Sequence, residues 1–190
     1  MNRSVAPAYP GVMTDVRVRP LRRVEYDVLI EQGVFTSDER IQLLEGELVE
    51  VSPQGVPHAT VIEALNERLM PALAGRHRVR VQLPMAAGEL SEPEPDLAVV
   101  SMDSPRDRHP GTALLVIEVA DTTLRLDLGR KARVYAGAGV PVYWVIDVAG
   151  ARVHVHEDPA GGAYRSIRRL GPDDDLDACG ERLRLRDLLS

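Results

Sequence analysis

Two acidic residues stand where the pattern of the sequence favours apolar strand residues. Asp96 directly precedes the apolar run 97–100, and Glu118 lies inside the run LLVIEVA. A buried carboxylate without a partner costs several kcal/mol, so each needs an arginine or a cation. If the two runs are neighbouring strands with matching ends, Asp96 and Glu118 could bind one hard cation, Mg²⁺ or Mn²⁺. The backbone carbonyl of Val119 and water would then complete the shell.

A lysine follows on a segment with helical periodicity. Asp127, Lys131 and Tyr135 are spaced four residues apart, which places them along one helical face. Lys131 is the only lysine among 23 basic residues. A lysine beside metal-bound carboxylates can orient a water molecule or neutralise a phosphoryl group, and arginine suits the first task less well because it stays protonated. An ordinary exposed pair of Asp127 with Lys131 is the competing interpretation.

Hydrophobic periodicity predicts the elements that must position these residues. Spacings of three and four predict helices over 24–32, 59–73 and 124–138. Alternation and short apolar runs predict a hairpin over 41–51 that ends at Ser52-Pro53, strands at 78–83, 97–100, 113–119 and 142–147, a meander at 153–156 and 164–170, and a last short element at 183–189. This order predicts an α/β fold with a mixed central β-sheet flanked by helices, with additional β-hairpin and meander elements. We expect a flexible N-terminal arm over 1–20 and a single domain over 21–190.

Length, charge and cysteine content limit the classes of function. The chain has 190 residues, 44% of them hydrophobic, which is enough for one globular domain with a sizeable core. A net charge of −6 argues against a protein that coats nucleic acid or membranes through a basic surface. The single cysteine, Cys179, can form neither an intramolecular disulfide nor a cysteine zinc cluster. Because no secretory signal or membrane-spanning run is found, we expect a cytoplasmic protein.

Several segments together resemble one known family. EPEPDLAVV, LLVIEVADTTLRLDLGRKARVYAGAG and VPVYWVID, in this order, resemble the Uma2 family of restriction-type endonucleases in the PD-(D/E)XK nuclease superfamily. Pro95-Asp96 matches the PD element, and Glu118 matches the first acid of the (D/E)XK element. The 127–135 helix matches the family's D-xxx-K-xxx-Y pattern. Further matches are the hairpin LLEGELVEVSP, His58 and the closing Tyr143, Trp144 and Asp147.

The resemblance implies a restriction-endonuclease-like core and a Mg²⁺- or Mn²⁺-dependent endonuclease that hydrolyses phosphodiester bonds of nucleic acid, with DNA as the expected substrate. It implies that Asp96, Glu118 and Lys131 are catalytic. The supporting residues that it implies are Asp127, Tyr135, His58 and Gln42. Ala120 stands where the superfamily pattern has its lysine, so Lys131 would supply the amine from the following helix. A homodimer is a further expectation from the superfamily.

One departure from the family pattern favours a second function. The family often has an acid four residues before the hairpin glycine, and this chain has Gln42. A neutral amide would weaken the field on a cation, unless Glu45 or Glu47 compensates. The alternative function is therefore a catalytically weak or inactive nuclease fold that binds nucleic acid or another protein.

Three other groups of residues have a functional and a simpler interpretation. His154 and His156 share one strand face and could bind zinc or copper, but a solvated face is preferred because no cysteine or third histidine is near in sequence. The acidic turn 173–175 could bind calcium but is more typical of a loop. The arginines that could contact phosphates, or simply form a solvated face, are Arg17, Arg19, Arg22, Arg23, Arg76, Arg78 and Arg80.

Overall fold

A computed structural model of the chain describes residues 17–36, 39–51 and 55–189. Of the arm predicted over 1–20, only 17–20 fall within this part, and the predicted hairpin end at Ser52-Pro53 lies outside it. The first elements are α1 (Arg23–Glu31), the antiparallel hairpin of β1 (Ile41–Leu44) and β2 (Glu47–Glu50), and α2 (Val56–Leu73). None of the described helices is long and apolar enough to cross a membrane.

A six-stranded mixed sheet forms the centre of the molecule. Its strands lie in chain order and are β3 (His77–Val81), β4 (Leu97–Ser101), β5 (Leu115–Ala120), β6 (Val142–Asp147), β7 (Arg152–Ala160) and β8 (Ala163–Leu170). The β5–β6 pair is parallel, and the other neighbours in this sheet are antiparallel. The α/β fold with a mixed central sheet is confirmed.

The pairing of β4 with β5 brings the two predicted acids together. Leu97 lies opposite Ile117, so the same antiparallel register places Asp96 opposite Glu118. Both strands are almost wholly buried, because apolar side chains cover both faces. On one face, α2 packs Leu65 against this core. The other face carries the two acids, and its apolar core includes Tyr135, Tyr143 and Val116.

The parallel β5–β6 pair requires a crossover connection, which runs through residues 124–137. This segment, the 124–137 helix, consists of α3 (Leu124–Leu126), a π-helical turn (Asp127–Lys131) and α4 (Ala132–Gly137) without a break. The helix ends before Gly139, whose φ of +71° suits a glycine. The predicted helix over 124–138 is thus present, with one wider turn at its centre.

The C-terminal part contains an element that the periodicity did not predict. Strands β9 (Asp175–Ala178) and β10 (Glu181–Arg184) form a separate antiparallel hairpin, followed by a 3₁₀ turn (Leu185–Asp187). Its apolar residues join the core on the α2 side of the sheet. The short element predicted at 183–189 is the end of this hairpin and the turn.

The preferred solvated face for the two strand histidines is wrong. His154 and His156 are 6% and 2% exposed, because α4 packs over β7 and β8 on that side. The His156 ring lies against Tyr143 and Tyr164, with centroid distances of 5.3 and 5.6 Å. These histidines belong to the core.

Candidate active site

Asp96 is held at the start of β4 by two hydrogen bonds. The backbone N–H of Val119, on the neighbouring strand, donates to Asp96 Oδ2 over 2.8 Å, and His58 Nε2 lies 3.0 Å from the same oxygen. His58 comes from the first turns of α2. Both bonds use Oδ2, so Oδ1 keeps its lone pairs for another ligand.

Glu118 accepts two contacts from the 124–137 helix. Tyr135 donates its hydroxyl to Glu118 Oε1 over 2.6 Å, and Lys131 Nζ lies 2.9 Å from the same oxygen. All three side chains are buried, with Lys131 only 4% exposed. Tyr135 therefore supports the same carboxylate oxygen that Lys131 contacts.

Asp127 is the second acid near the Lys131 ammonium group. Its Oδ1 lies 3.6 Å from Lys131 Nζ, and its Oδ2 accepts a 2.5 Å hydrogen bond from the Thr123 hydroxyl. Tyr143 donates to the Asp127 backbone carbonyl over 3.0 Å. That carbonyl belongs to the π-helical turn, so Tyr143 helps to hold the wider turn that carries Lys131.

Burial and charge act against each other within this cluster. Burial raises the pKa of Glu118 although Lys131 opposes the shift. Burial lowers the pKa of Lys131, but Glu118 and Asp127 outweigh it, so that pKa is raised. The first shift favours a neutral Glu118 and the second an ionised one. At 2.9 Å we describe the two as an ion pair, because removal of either charge would leave the other buried without a counter-charge.

A cavity of about 70 Å³ opens beside these side chains. This is room for several water molecules. The residues that line this cavity include several that were predicted from the sequence as site residues: Asp96, Glu118, Lys131, His58 and Gln42. Gln42 is 4% exposed, and no described residue hydrogen-bonds its Oε1. An unpaired buried amide oxygen is costly, so this position suits a ligand that accepts its lone pair.

The oxygen donors at the cavity fit a hard cation. Within the described residues, no three His, Cys, Asp or Glu side chains are close enough together to hold an ion by themselves. Mg²⁺ is commonly bound through one or two carboxylates and keeps several waters. Asp96, Glu118, the Val119 carbonyl and the unpaired Gln42 Oε1 supply such a donor set. Because no such group of three side chains is found among the described residues, metal binding at the 154–156 strand or at the 173–175 turn has no support.

Comparison with known proteins places the chain in a family. The model of the Uma2 family, described as "Putative restriction endonuclease", matches residues 24–181. The chain belongs to the Uma2 family. A solved structure from Anabaena variabilis, titled as "a putative nuclease belonging to DUF820", matches with a TM-score of 0.68 and 16% identity, over 90% of this chain and 98% of that one. No curated protein matches the chain.

Within this Uma2 chain, the structure brings together all seven residues predicted as catalytic or supporting, which are Asp96, Glu118, Lys131, Asp127, Tyr135, His58 and Gln42. Two further candidates behave differently, because the carboxylates of Glu45 and Glu47 do not line the cavity. Glu45 accepts two hydrogen bonds from Arg133, at 3.0 and 2.9 Å, and Glu47 lies 2.8 Å from Arg130. Neither of them substitutes for an acid at position 42.

Other side chains of the Uma2 cavity were missed by sequence reasoning. They are Arg40, Glu94, Asp121 and Thr123. Burial raises the pKa of Glu94, against the effects of Arg40 and Lys131. Glu94 lies two residues before Asp96, and Asp121 directly follows β5. The alternation of strand side chains, continued past the strand end, could have identified Glu94 as a neighbour of Asp96.

Proposed function

We propose that the chain is a metal-dependent endonuclease that hydrolyses phosphodiester bonds of nucleic acid, with DNA as the expected substrate. The observation that carries the proposal is the only lysine of the chain, 4% exposed and 2.9 Å from Glu118, at a cavity that Asp96 also lines. Burying a lysine costs free energy, and this cost is offset here by contacts with two acids, Glu118 and Asp127. The family model and the fold of the Anabaena protein support a nuclease.

The proposed cofactor is Mg²⁺ or Mn²⁺, with Asp96, Glu118, the Val119 carbonyl and Gln42 Oε1 as its protein donors. Such an ion supplies Lewis acidity: it lowers the pKa of a bound water and stabilises charge on phosphoryl oxygens. These oxygen donors suit Mg²⁺ and Mn²⁺ better than softer metals.

The side chains around the donors have distinct tasks. Lys131 would donate a hydrogen bond from Nζ to the attacking water or to a phosphoryl oxygen, and its charge would stabilise the negative charge that develops there. Asp127 positions the ammonium group, and Tyr135 holds Glu118 Oε1. His58 orients Asp96 through Oδ2.

The test is cleavage of labelled DNA and RNA strands and of a supercoiled plasmid, with Mg²⁺ or Mn²⁺. Wild type is compared with Asp96→Ala, Lys131→Ala and the control Arg165→Ala, whose side chain is 70% exposed on β8. We expect metal-dependent cutting that falls about 10³-fold in the first two variants and not in the control. Equal cutting by wild type and Lys131→Ala, with both folded, would refute the assignment.

A second candidate function is a nuclease fold that binds nucleic acid or protein without turnover. The specific observation in its favour is Gln42, a neutral amide where the family often has an acid. Titration of the chain with Mg²⁺ and Mn²⁺ separates the two. An active site should bind an ion through Asp96 and Glu118, whereas a wild type that neither binds ions nor cuts would favour the binding module.

The proposal keeps three predictions from the sequence. They are a cytoplasmic location, a homodimer, and a single domain that begins near Leu21 after an N-terminal arm. Light scattering of the purified chain measures its mass in solution and tests the homodimer. Limited proteolysis tests the boundary, because an arm should be removed before the domain is cut.

A further inference from the structure

A second cleft lies next to the catalytic cavity. Its volume is about 670 Å³, and it shares Val51, Thr122 and Thr123 with that cavity. Arg125, Arg130 and Arg133 also line it, from the outer side of the 124–137 helix whose inner side carries Lys131. We call this the arginine cleft. Because the two share a wall, a chain-like ligand that reaches Lys131 can continue into the arginine cleft.

Two arginines of the cleft are held in place by the β1–β2 hairpin. Arg133 forms a two-point contact with Glu45, and Arg130 Nη1 lies 2.8 Å from Glu47 Oε2. These pairs leave other N–H groups of each guanidinium for a further acceptor, since arginine has five donors. The hairpin therefore fixes both guanidinium groups at the cleft before any ligand arrives.

Arg125 provides the charge that the hairpin does not neutralise. It is exposed, and no described acid lies within 4 Å of its guanidinium. Glu50 is the single acid that lines the arginine cleft, against three arginines. Glu45 and Glu47 neutralise Arg133 and Arg130, so Arg125 is the arginine of this cleft that has no acidic partner among the described residues.

Three of the arginines singled out from the sequence have partners elsewhere in the structure. Arg80 Nη2 donates to the Pro84 carbonyl over 3.0 Å, and Arg78 Nη2 donates to the Ser104 carbonyl. Arg19 is bound to Glu25 at 2.7 Å.

We propose that the arginine cleft binds a backbone phosphate of the nucleic-acid strand, beside the phosphodiester bond that is cut. This inference rests on the proposed function. The catalytic cavity is lined by carboxylates, which repel a polyanion, so a nearby cation without an acidic partner is needed to hold the strand. Arg125 supplies the uncompensated charge, while Arg130 and Arg133 supply directed N–H groups. The contact is to phosphate and carries no base specificity.

The test measures binding of a short fluorescein-labelled DNA duplex and of a labelled single-stranded RNA by fluorescence anisotropy, with no divalent ion present so that nothing is cut. Arg125→Ala should bind roughly tenfold more weakly at low salt. Its slope of log affinity against log salt should fall by about 0.9 on the duplex, the value for one lost phosphate contact. The matched control Arg165→Ala removes an equal charge from the β8 edge and should bind as wild type does.

A substitution in the β1–β2 hairpin should change the affinity for nucleic acid in the opposite direction. Glu45→Gln removes the carboxylate that competes for Arg133, so it should bind the same probes more tightly than wild type. A structural role of Glu45 alone would not tighten binding. Circular dichroism melting of each variant confirms that it is folded.

The outcomes separate this inference from the proposed function. If wild type cuts with metal but Arg125→Ala binds as tightly as wild type, or Arg165→Ala loses as much, the arginine cleft is not the phosphate site and the endonuclease proposal stands. If wild type neither binds nor cuts any probe, both are overturned. Weaker binding by Arg125→Ala alone supports the inference even if turnover is absent, as in the binding module.

Discussion

Two groups of buried titratable side chains lie on the same face of the sheet, and they differ in whether their polar atoms have partners. Asp96, Glu118 and Lys131 all have contacts at 2.8 to 3.0 Å and line a cavity. His154 Nε2 and His156 Nδ1 have no hydrogen-bond partner among the described residues, and neither ring lines that cavity. Buried charges that contact one another beside a cavity are typical of a functional site, whereas rings that lie among core side chains away from the cavity are typical of packing.

The largest expected effect concerns the ion pair. Lys131→Met should lower the free energy of unfolding by about 3–5 kcal/mol, because Glu118 is left buried without its counter-charge. The double variant Glu118→Gln, Lys131→Met should recover most of this loss, since both charges are gone. Urea unfolding, followed by fluorescence of the only tryptophan, Trp144, measures each value. Simple addition of the two single losses would show that the pair is not coupled.

A smaller effect is expected from the tyrosine that holds Glu118. Tyr135→Phe should cost about 1.5–3 kcal/mol, because its hydroxyl donates to a charged group. Tyr164→Phe is the matched control: that hydroxyl donates to the neutral Val140 carbonyl over 2.9 Å, so the loss should be about 1 kcal/mol. Cleavage should fall roughly tenfold in Tyr135→Phe and be unchanged in the control. The prediction would be wrong if Tyr164→Phe lost more free energy of unfolding than Tyr135→Phe.

The smallest effect, with a dependence on pH, is expected for the histidine pair. Burial lowers the pKa of both His154 and His156, so the unfolded chain takes up protons more readily than the folded one. The stability that these rings contribute is present above their unfolded pKa of about 6.5 and is lost as pH falls below it. Replacing both with leucine should change the free energy of unfolding by about 1 kcal/mol or less at pH 8.

The same variant should lose less stability than wild type on acidification from pH 8 to pH 5, and urea unfolding at the two pH values measures the difference. If acidification destabilises wild type and variant equally, the histidines are not neutral core residues. In that case the contrast between the two groups would no longer hold.

The sequence identified the two acids of the site because that information is local, although their pairing was only a condition of the prediction. Two apolar runs of strand length, each with one acid at a fixed position, can bring Asp96 opposite Glu118 once they become antiparallel neighbours. Helical spacing likewise predicted that Lys131 and Tyr135 share a face. Both contact Glu118, although the helix between 127 and 131 is wider than the spacing implies.

What the sequence could not predict depends on contacts between distant segments. Strand alternation places His154 and His156 on one face, but it does not say that α4 covers that face. The β9–β10 hairpin has short, charged strands whose apolar residues are few, so periodicity alone does not distinguish it from a loop. The exposure of Glu94 and Gln42 to the cavity follows from how the β1–β2 hairpin meets the sheet, which no local pattern encodes.

The parallel pairing of β5 with β6 has a consequence for synthesis of the chain. Lys131 lies on the crossover between these strands, and the crossover helix packs on β7 and β8, which are made later. During translation Asp96 and Glu118 can become neighbours once β5 has formed, whereas the helix that carries Lys131 gains its full packing surface only after the strands up to 170 have left the ribosome. A nascent or truncated chain that ends before β8 therefore lacks part of the surface that supports the helix carrying Lys131.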